Sequence, residues 1–332
     1  MPAVLSCIMP VDNAAPYLPA ALESVLSQSF AYFELLLIDD GSTDDSPRLC
    51  DEAALRDVRV RVLHQPNAGV AAARNKGLAL AQGRYLCFVD SDDVLLPGAF
   101  AKIVRAMEGG PDLVSFNFVF CTPERRTPAE YPAFSAPEKA DFWPHFVGYY
   151  RANQFFSLCN KAYRTAFVRQ ANLDFSPELR TSEDIAFNFS AFSAARSMAH
   201  LNDCLYEYWH HEATLTRAAT LDNMAVCRRV LGGVRAFLAH NGQSQLYNTL
   251  EEAQLPWDAS NFYTLLLDSS KPYTLAQRQE GLAQLFGNER WHAALLQALD
   301  QPEGSYQKYL AFAARRKSVF FAILPLRLKG CK

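Results

Sequence analysis

Several features that would place this chain in a common protein class are missing from its sequence. Its eight cysteines form no C-x-x-C pair, and two of them, Cys7 and Cys87, stand inside apolar runs. This distribution argues against a zinc site or a disulfide scaffold and favours buried thiols in a reducing cytoplasm. No stretch reaches the roughly 18 consecutive apolar residues of a membrane span, and the first residues lack the positive segment of a secretory signal. We therefore expect a cytoplasmic protein.

Two phosphate-binding motifs are absent as well. The sequence contains neither G-x-G-x-x-G, the dinucleotide fingerprint, nor G-x-x-x-x-G-K-[ST], the P-loop. It does contain enough apolar material for a large core, since 50% of its 332 residues are hydrophobic and 20% are charged. This composition is typical of a folded protein with one large domain, or with one domain and an appendage.

Acidic residues are missing from the end of the chain. The net charge is −3, yet from Gly304 onward there are seven Lys or Arg and no Asp or Glu, which leaves 25 basic and 35 acidic residues before that point. Residues 311–329 combine these basic residues with a short apolar run. Such a tail suits an interfacial helix in peripheral contact with an anionic inner membrane, and equally an ordinary core helix with a solvated basic end. We expect no nucleic-acid partner.

Apolar strand-like runs alternate with helical patterns through the first third of the chain. The predicted strands are residues 4–9, 34–38, 59–63, 85–89 and 112–118. This alternation predicts an α/β fold, with a Rossmann-like, mostly parallel central sheet and helices on both faces. Residues 121–140 are rich in Pro, Glu and Ala and are predicted to form a loop. Beyond residue 217 only helical periodicity remains, which predicts a helical C-terminal region.

Polar residues follow three of the predicted strands at the point where each strand ends. They are Asp12–Asn13, Asp39–Asp40, and Asp90 with Asp92. Ligands of open α/β sheets bind at the carboxyl ends of the strands. Mg²⁺ and Mn²⁺ prefer oxygen ligands and take one or two carboxylates together with substrate phosphates. The edge therefore predicts a nucleotide and metal site, although Asp-Ser-Asp-Asp is also good composition for a solvated turn.

Five segments in this order resemble the successive motifs of family 2 inverting glycosyltransferases, which have the GT-A fold. The segments are Ile8–Asn13, Ser24–Phe30, Leu37–Asp44, Asn67–Gly77 and Gly83–Asp93. The resemblance covers residues 3–120 closely and continues more loosely to about residue 217. One departure is Asp12, where this family more often has Tyr.

The resemblance implies roles for the residues of the predicted donor site. That site would comprise Pro10, Val11, Asn13, Asp40, Asn67, Gly69, Arg74, Asp90 and Ser91. Asp40 would hydrogen-bond the nucleobase, in a pocket also lined by the backbone of Pro10 and Val11. Arg74 would lie near the ribose or the diphosphate, since a guanidinium matches phosphate geometry; a salt bridge on a helix face is the alternative. Asp90 would contact the ribose or the metal, and Asp92 would bind Mn²⁺ or Mg²⁺.

The acceptor side is implied by a second set of residues. Glu183 and Asp184 resemble the family's Glu-Asp motif at a helix start, where acids also serve simply to complement the helix dipole. An inverting displacement needs one base to deprotonate the acceptor hydroxyl. Asp184 is the preferred base. Glu183 would orient the acceptor or would act as the base in place of Asp184. His210 and His211 are candidates for a further metal ligand, and a packed or surface histidine pair is the alternative.

The sequence thus predicts a glycosyltransferase domain over residues 1–217 and a helical region over residues 218–332. The donor half would span about residues 1–120 and the acceptor half about 121–217. The expected reaction moves a hexosyl or N-acetylhexosaminyl group from a nucleotide-diphosphate sugar, a UDP-sugar above others, to a glycan or lipid-linked acceptor. The resemblance places this reaction in bacterial capsule, O-antigen or lipooligosaccharide synthesis. The alternatives are an inactive glycan-binding scaffold subunit and a sugar-1-phosphate nucleotidyltransferase.

Overall fold

A computed structural model of the chain describes residues 2–178, 183–210, 223–268, 273–300 and 304–328. The chain divides into two compact units, Met1–Ala213 and Thr214–Lys332. This division lies close to the domain boundary that the sequence predicts after residue 217. The first unit contains a ten-stranded sheet, and the second is helical throughout its described residues.

Four parallel strands form one half of the sheet. They are β1 (Leu5–Val11), β2 (Phe33–Asp39), β3 (Val60–His64) and β4 (Tyr85–Phe88), and they lie in the order β3-β2-β1-β4. The helices between them are α1 (Leu18–Leu26), α2 (Ser46–Arg56) and α3 (Val70–Leu80). Every residue of β1 and β2 is buried, as expected for parallel strands covered on both faces.

The other half of the sheet is mixed. Its strands are β5 (Val94–Leu95), β6 (Leu113–Cys121), β7 (Arg126–Ala129), β8 (Phe134–Ala136), β9 (Lys161–Arg164) and β10 (Met198–Trp209). The order continues β4-β9-β6-β10-β5, with β7 paired to β6 and β8 paired to β10. Strand β9 runs antiparallel between β4 and β6, whereas β6 and β10 run parallel. The α/β fold class is confirmed, and the parallel order holds for the first four strands.

The predicted loop over residues 121–140 is wrong, because it contains strands β7 and β8. These short strands pair antiparallel with the longer β6 and β10. Strand formation of this kind depends on the neighbouring strand more than on local composition. The helices of this half are α4 (Ala99–Glu108), α5 (Trp143–Arg151), α6 (Thr165–Gln170) and α7 (Glu183–Ala194), and a short 3-10 helix (Lys139–Phe142) precedes α5.

Helix α3 packs tightly on the sheet. A Cβ atom on Gly77 would overlap the side chain of Ile8 in β1, so only glycine permits this approach. The close packing brings Arg74, three residues earlier on the same helix, to the buried side of α3, where it is 6% exposed. This local feature of the sequence positions the central cation of the site described below.

The described part of the second unit consists of six helices. They are α8 (Asn223–His240), α9 (Gln245–Leu267), α10 (Leu275–Gly287), α11 (Glu289–Ala298), α12 (Gly304–Arg315) and α13 (Val319–Leu328). The predicted helical C-terminal region is confirmed. Two predicted helical segments, 247–252 and 262–267, belong to the single helix α9, which continues through Pro256.

Within the ranges that the structure describes, no helix combines the length and the apolar character needed to cross a bilayer.

Candidate active site

The ends of three adjacent strands define the candidate site. Strand β1 lies between β2 and β4, so the residues that follow these strands share one edge of the sheet. Val11 pairs with Asp39, and Ile8 pairs with Phe88, two residues before Asp90. The polar strand exits that the sequence identified are therefore neighbours in the fold.

Asp40 anchors the loop that precedes α3. Its buried carboxylate accepts hydrogen bonds from the Gln65 side chain at 2.7 Å, from the Ala68 amide at 2.9 Å and from the Gly69 amide at 2.7 Å. Gly69 has φ of 90°, a backbone conformation that glycine adopts without strain. Asn67 lies in the same loop. Both oxygens of Asp40 thus shape the loop that would face a nucleobase.

Asn13 joins the loop after β1 to the loop after β2. Its side-chain oxygen accepts from the Thr43 amide at 2.9 Å, and its own amide donates to Oγ of Ser42 at 3.0 Å. Pro10 and Val11 are buried at the end of β1, where they pair with Ile38 and Asp39. Pro10 and Val11 therefore lie in the sheet directly before the loop that carries Asn13.

Arg74 connects Asp90, after strand β4, to Glu183, at the start of α7. Its guanidinium donates to Asp90 Oδ1 at 2.9 Å and to Glu183 Oε1 at 2.6 Å, across 109 residues of sequence. Its pKa is raised: burial lowers it, but the charges of Asp90, Glu183 and Asp184 outweigh that effect. Nε of Arg74 is buried without a hydrogen-bond partner. The guanidinium thus pairs with two carboxylates, and the phosphate contact that the resemblance implies stays a prediction.

Asp90 also forms hydrogen bonds with Cys159, which precedes β9, and with Tyr206 of β10. The Cys159 thiol donates to Asp90 Oδ2 at 3.2 Å, and the Asp90 amide donates to the Tyr206 hydroxyl at 3.1 Å. Sequence reasoning missed Cys159 because nothing in the local pattern shows that residue 159 reaches residue 90. Ser91, the next residue, is buried.

Asp93 connects the Asp90–Asp93 segment to strand β10. It is 1% exposed, and it accepts from the Tyr206 hydroxyl at 2.6 Å and from the Trp209 amide at 2.7 Å, which ties this segment to β10. Its pKa is raised well above the ordinary value by burial, and then by the charges of Asp90 and Asp92. Burial of Asp93 is thus the main cause of its raised pKa, and the neighbouring acids add to it.

Glu183 and Asp184 begin α7, as the motif predicts, but their environments differ. Glu183 is buried and its charge is compensated by Arg74. Asp184 is half-buried, and its pKa is raised to about 6 by burial and by the adjacent charge of Glu183, with Arg74 acting in the opposite direction. A carboxylate with this pKa is still mostly ionised at neutral pH and is a stronger base than an ordinary aspartate.

A buried network of hydrogen bonds connects α7 to residues 154–161. The sequence did not predict this network. Lys161 is fully buried, and its ammonium donates to the Gln154 carbonyl at 2.7 Å, to Asn160 Oδ1 at 2.8 Å and to the Ser157 carbonyl. Asn188 of α7 donates to the Phe156 carbonyl at 2.7 Å. The segment that carries Cys159 is therefore fixed both to β9 and to α7.

His210 lies against aromatic side chains. Its ring stacks on Phe120 with a centroid separation of 5.8 Å and an angle of 21°, and its amide donates to the Cys121 carbonyl at 2.8 Å. His211, and Ser182 before α7, lie outside the described residues. The predicted metal roles of His210 and His211 stay predictions.

The acidic edge fits a divalent cation that is shared with a substrate. In the parts of the chain that the structure describes, no three His, Cys, Asp or Glu side chains are grouped to hold a metal. Asp90 and Asp92 provide two carboxylates next to the buried Asp93, whose pKa is raised by burial and then by their charges. Two carboxylates are the donor set with which Mg²⁺ or Mn²⁺ commonly binds a phosphate substrate, the phosphates and water completing the coordination.

Comparison with known protein families agrees with this arrangement. The model of Glycosyl transferase family 2 matches residues 6–172, about half of the chain. Among curated proteins, the uncharacterised glycosyltransferase EpsJ of Bacillus subtilis is 32% identical over 216 residues. That alignment covers 64% of this chain and 63% of EpsJ, so the chain spans less than two thirds of that relative's length.

Solved structures share the fold. TarS of S. aureus (residues 1–349, in complex with UDP-GlcNAc) superposes with a TM-score of 0.63 at 22% identity, covering 100% of this chain and 93% of that one. The mannosyltransferase PcManGT of Pyrobaculum calidifontis, in complex with GDP-Man and Mn²⁺, gives a TM-score of 0.56 at 13% identity, covering 99% and 88%. At these identities the likeness concerns the fold alone.

Proposed function

The chain belongs to glycosyl transferase family 2, and from this premise we propose that it is a metal-dependent, inverting transferase of a nucleotide-diphosphate sugar. The observation that carries the proposal is the Arg74 bridge. It joins Asp90, at the donor edge, to Glu183, which neighbours a carboxylate with a pKa of about 6. Donor-side and acceptor-side acids are thereby held in one cluster.

Asp184 is the base in this proposal. It takes the proton of the acceptor hydroxyl while the hydroxyl oxygen bonds to the anomeric carbon. The bond between that carbon and the diphosphate oxygen breaks, and the nucleoside diphosphate leaves with the electron pair. A single displacement of this kind inverts the anomeric configuration. Glu183 is the weaker candidate because its carboxylate is committed to Arg74 at 2.6 Å.

The donor occupies the edge formed by β1, β2 and β4 in this proposal. The loop anchored by Asp40 faces the nucleobase, and Asp90 and Asp92 hold Mn²⁺ or Mg²⁺. The cation, when bound, neutralises charge on the departing diphosphate. A UDP-sugar donor is supported by the fold shared with TarS, which was solved with UDP-GlcNAc.

The acceptor is a hydroxyl of a glycan or of a lipid-linked saccharide. We place the reaction in the synthesis of a bacterial surface polysaccharide, at the cytoplasmic face of the inner membrane. The family membership and the likeness to EpsJ support a role in polysaccharide synthesis. The basic residues from Gly304 onward support a location at the membrane.

Calorimetric titration with UDP, in the presence and absence of Mn²⁺, tests the donor site. The expected result is binding that requires the cation and that is lost in Asp92→Ala. The matched control is Asp174→Asn, an exposed acid of the same unit, which should leave binding unchanged. A panel of UDP-sugars, followed by donor hydrolysis, then identifies the sugar.

Failure of UDP, GDP and the other nucleoside diphosphates to bind with Mn²⁺ present would overturn the proposal and favour a scaffold subunit. Binding of equal strength with and without the cation would retain the nucleotide site and reject the role of Asp92.

A further inference from the structure

The second unit carries an unusual combination of exposed side chains around residues 312–320. Among its described residues, the exposed large hydrophobic side chains are Phe312, at 43%, and Phe320, at 54%. Three consecutive exposed cations, Arg315, Arg316 and Lys317, stand between them. We call these five residues the Phe312–Phe320 patch.

The helical geometry of α12 gathers one side of this patch. Lys308, Phe312 and Arg315 follow at spacings of four and three residues, which places them on one face of the helix. The guanidinium of Arg316 lies 5.2 Å from the centre of the Phe312 ring. The Phe321 ring contacts the rings of both Phe312 and Phe320, at centroid separations of 5.5 and 5.7 Å, so the two exposed rings and the cations between them lie close together where α12 ends.

The same two helices bury other residues in the unit's core. Ala311, Ala313 and Ala314 of α12 are at most 2% exposed, as are Ala322 and Ile323 of α13. Phe312 and Phe320 lie outside this buried set. Their exposed rings leave apolar area in water, which is unfavourable. An exposed aromatic pair beside a cluster of cations needs a partner with both apolar and anionic character.

We propose that the Phe312–Phe320 patch is a docking surface for an anionic lipid bilayer, with the two phenylalanine rings inserted among the headgroups and Lys308, Arg315, Arg316 and Lys317 facing lipid phosphates. The proposal deepens the membrane contact included in the proposed function and names the residues that make it. Anionic leaflets attract such juxtaposed cations, and aromatic insertion adds an apolar contribution.

The charges around the patch agree with this partner. No Asp or Glu occurs from Gly304 to the end of the chain. Among the described residues, Asp300 lies 4.0 Å from Arg315, and both side chains are more than half exposed, so this pair is weak. A nucleic-acid duplex would also attract the cations, but its bases are paired and stacked inside the helix, so it offers no apolar layer for the two rings.

Vesicle co-sedimentation of the full chain tests the proposal. The probes are vesicles of phosphatidylcholine with phosphatidylglycerol, and vesicles of phosphatidylcholine alone. We expect binding to the anionic vesicles only, weakened by added salt. The double variant Arg315→Glu/Arg316→Glu should bind at least about 25-fold more weakly, at about fivefold per cation removed. Phe312→Ser/Phe320→Ser should lose roughly tenfold or more.

Two matched variants in the first unit control for charge and hydrophobicity. Arg48→Glu/Arg56→Glu makes the same charge change at exposed arginines of α2, and Leu55→Ser removes a side chain that is 87% exposed. Both should bind vesicles like the natural sequence. Equal losses in the controls, no binding to anionic vesicles, or binding to duplex DNA that the Phe variants do not weaken would each overturn the proposal. Because vesicle binding needs neither donor nor acceptor, its outcome is independent of the transfer reaction.

Discussion

Among the residues that the structure describes, each of the two units buries one arginine, and the two arginines have different partners. Arg74 in the first unit is 6% exposed and bonds to carboxylates that lie 16 and 109 residues away. Arg278 in the second unit is 1% exposed and donates to the carbonyls of Leu266 and Asp268 at 2.7 and 2.8 Å, and to that of Tyr273 at 3.0 Å.

The difference lies in what accompanies each buried charge, which is a set of acids for Arg74 and backbone carbonyls for Arg278. Arg278 satisfies carbonyls at the end of α9, which lack partners within the helix. The three carbonyls that it contacts are neutral and lie within 12 residues of it in the sequence. Arg74 instead compensates acids brought together by distant parts of the chain, and one of its own nitrogens stays without a partner. Incomplete satisfaction of a buried group is expected where function constrains a site.

The largest effect is expected where the first unit would carry its chemistry. Asp184→Asn should lower the transfer rate by about 10²–10⁴-fold, the usual contribution of a general base. The Ile185 amide donates to Asp184 Oδ1 at 2.8 Å, a bond that asparagine can keep. Steady-state rates, together with titration of UDP and Mn²⁺, provide the measurement.

Retention of UDP binding in Asp184→Asn separates loss of the base from loss of the site. The exposed Asp174→Asn is the matched control and should keep the full rate. A rate within threefold of the natural sequence in Asp184→Asn would pass the role of base to Glu183.

Breaking the Arg74 bridge should destabilise the first unit strongly. Arg74→Met leaves Glu183, whose side chain is 10% exposed, and Asp90, at 26%, without their cation. Removing one partner of a buried ion pair costs about 3–5 kcal/mol. Urea denaturation followed by circular dichroism measures the change in unfolding free energy.

Arg74→Lys is the informative companion to this variant. Lysine keeps the charge, but its ammonium is a single point charge and cannot reproduce the guanidinium fork between two carboxylates. We expect a loss of stability between those of the natural sequence and Arg74→Met. Equal stability of all three proteins would show that the bridge contributes nothing to folding.

The sequence pointed to candidate residues more readily than to the contacts between them. Asp90 stands at a strand exit, Glu183 stands at a helix start, and Arg74 lies in a segment that resembles a family motif. Their mutual ion pairs depend on contacts across as many as 109 residues, which no local pattern contains. Cys159 was missed for the same reason. Strands β7 and β8 were missed because their neighbours in the sheet, not their composition, determine them.

Asp184 should make the first unit less stable as pH rises. Its pKa of about 6 in the folded state exceeds the value near 4 expected in the unfolded chain. Between these values the folded state keeps a proton that the unfolded state has lost, so the free energy of unfolding falls as pH rises through this window. By pH 7 the cost is on the order of 3 kcal/mol.

Asp184→Asn removes this titration. The variant should therefore be more stable than the natural sequence at pH 7 and equal to it near pH 4, by urea denaturation at both pH values. Activity of the natural sequence should change in the opposite direction and rise as pH passes 6. Parallel stability curves for the two proteins across this range would contradict the raised pKa.

The smallest of these effects is expected for the second arginine, and it completes the comparison. Arg278→Met leaves the carbonyls at the end of α9 without their donor, at a cost of about 1–3 kcal/mol. Hydrogen exchange should report faster exchange in α9 and α10, with the sheet of the first unit unaffected. Binding of UDP and hydrolysis of a UDP-sugar should stay at the level of the natural sequence, because Arg278 contacts none of the acids that Arg74 serves. If Arg278→Met instead reduced donor binding while the first unit stayed folded, the second unit would have to contribute to the donor site, and the contrast between the two arginines would fail.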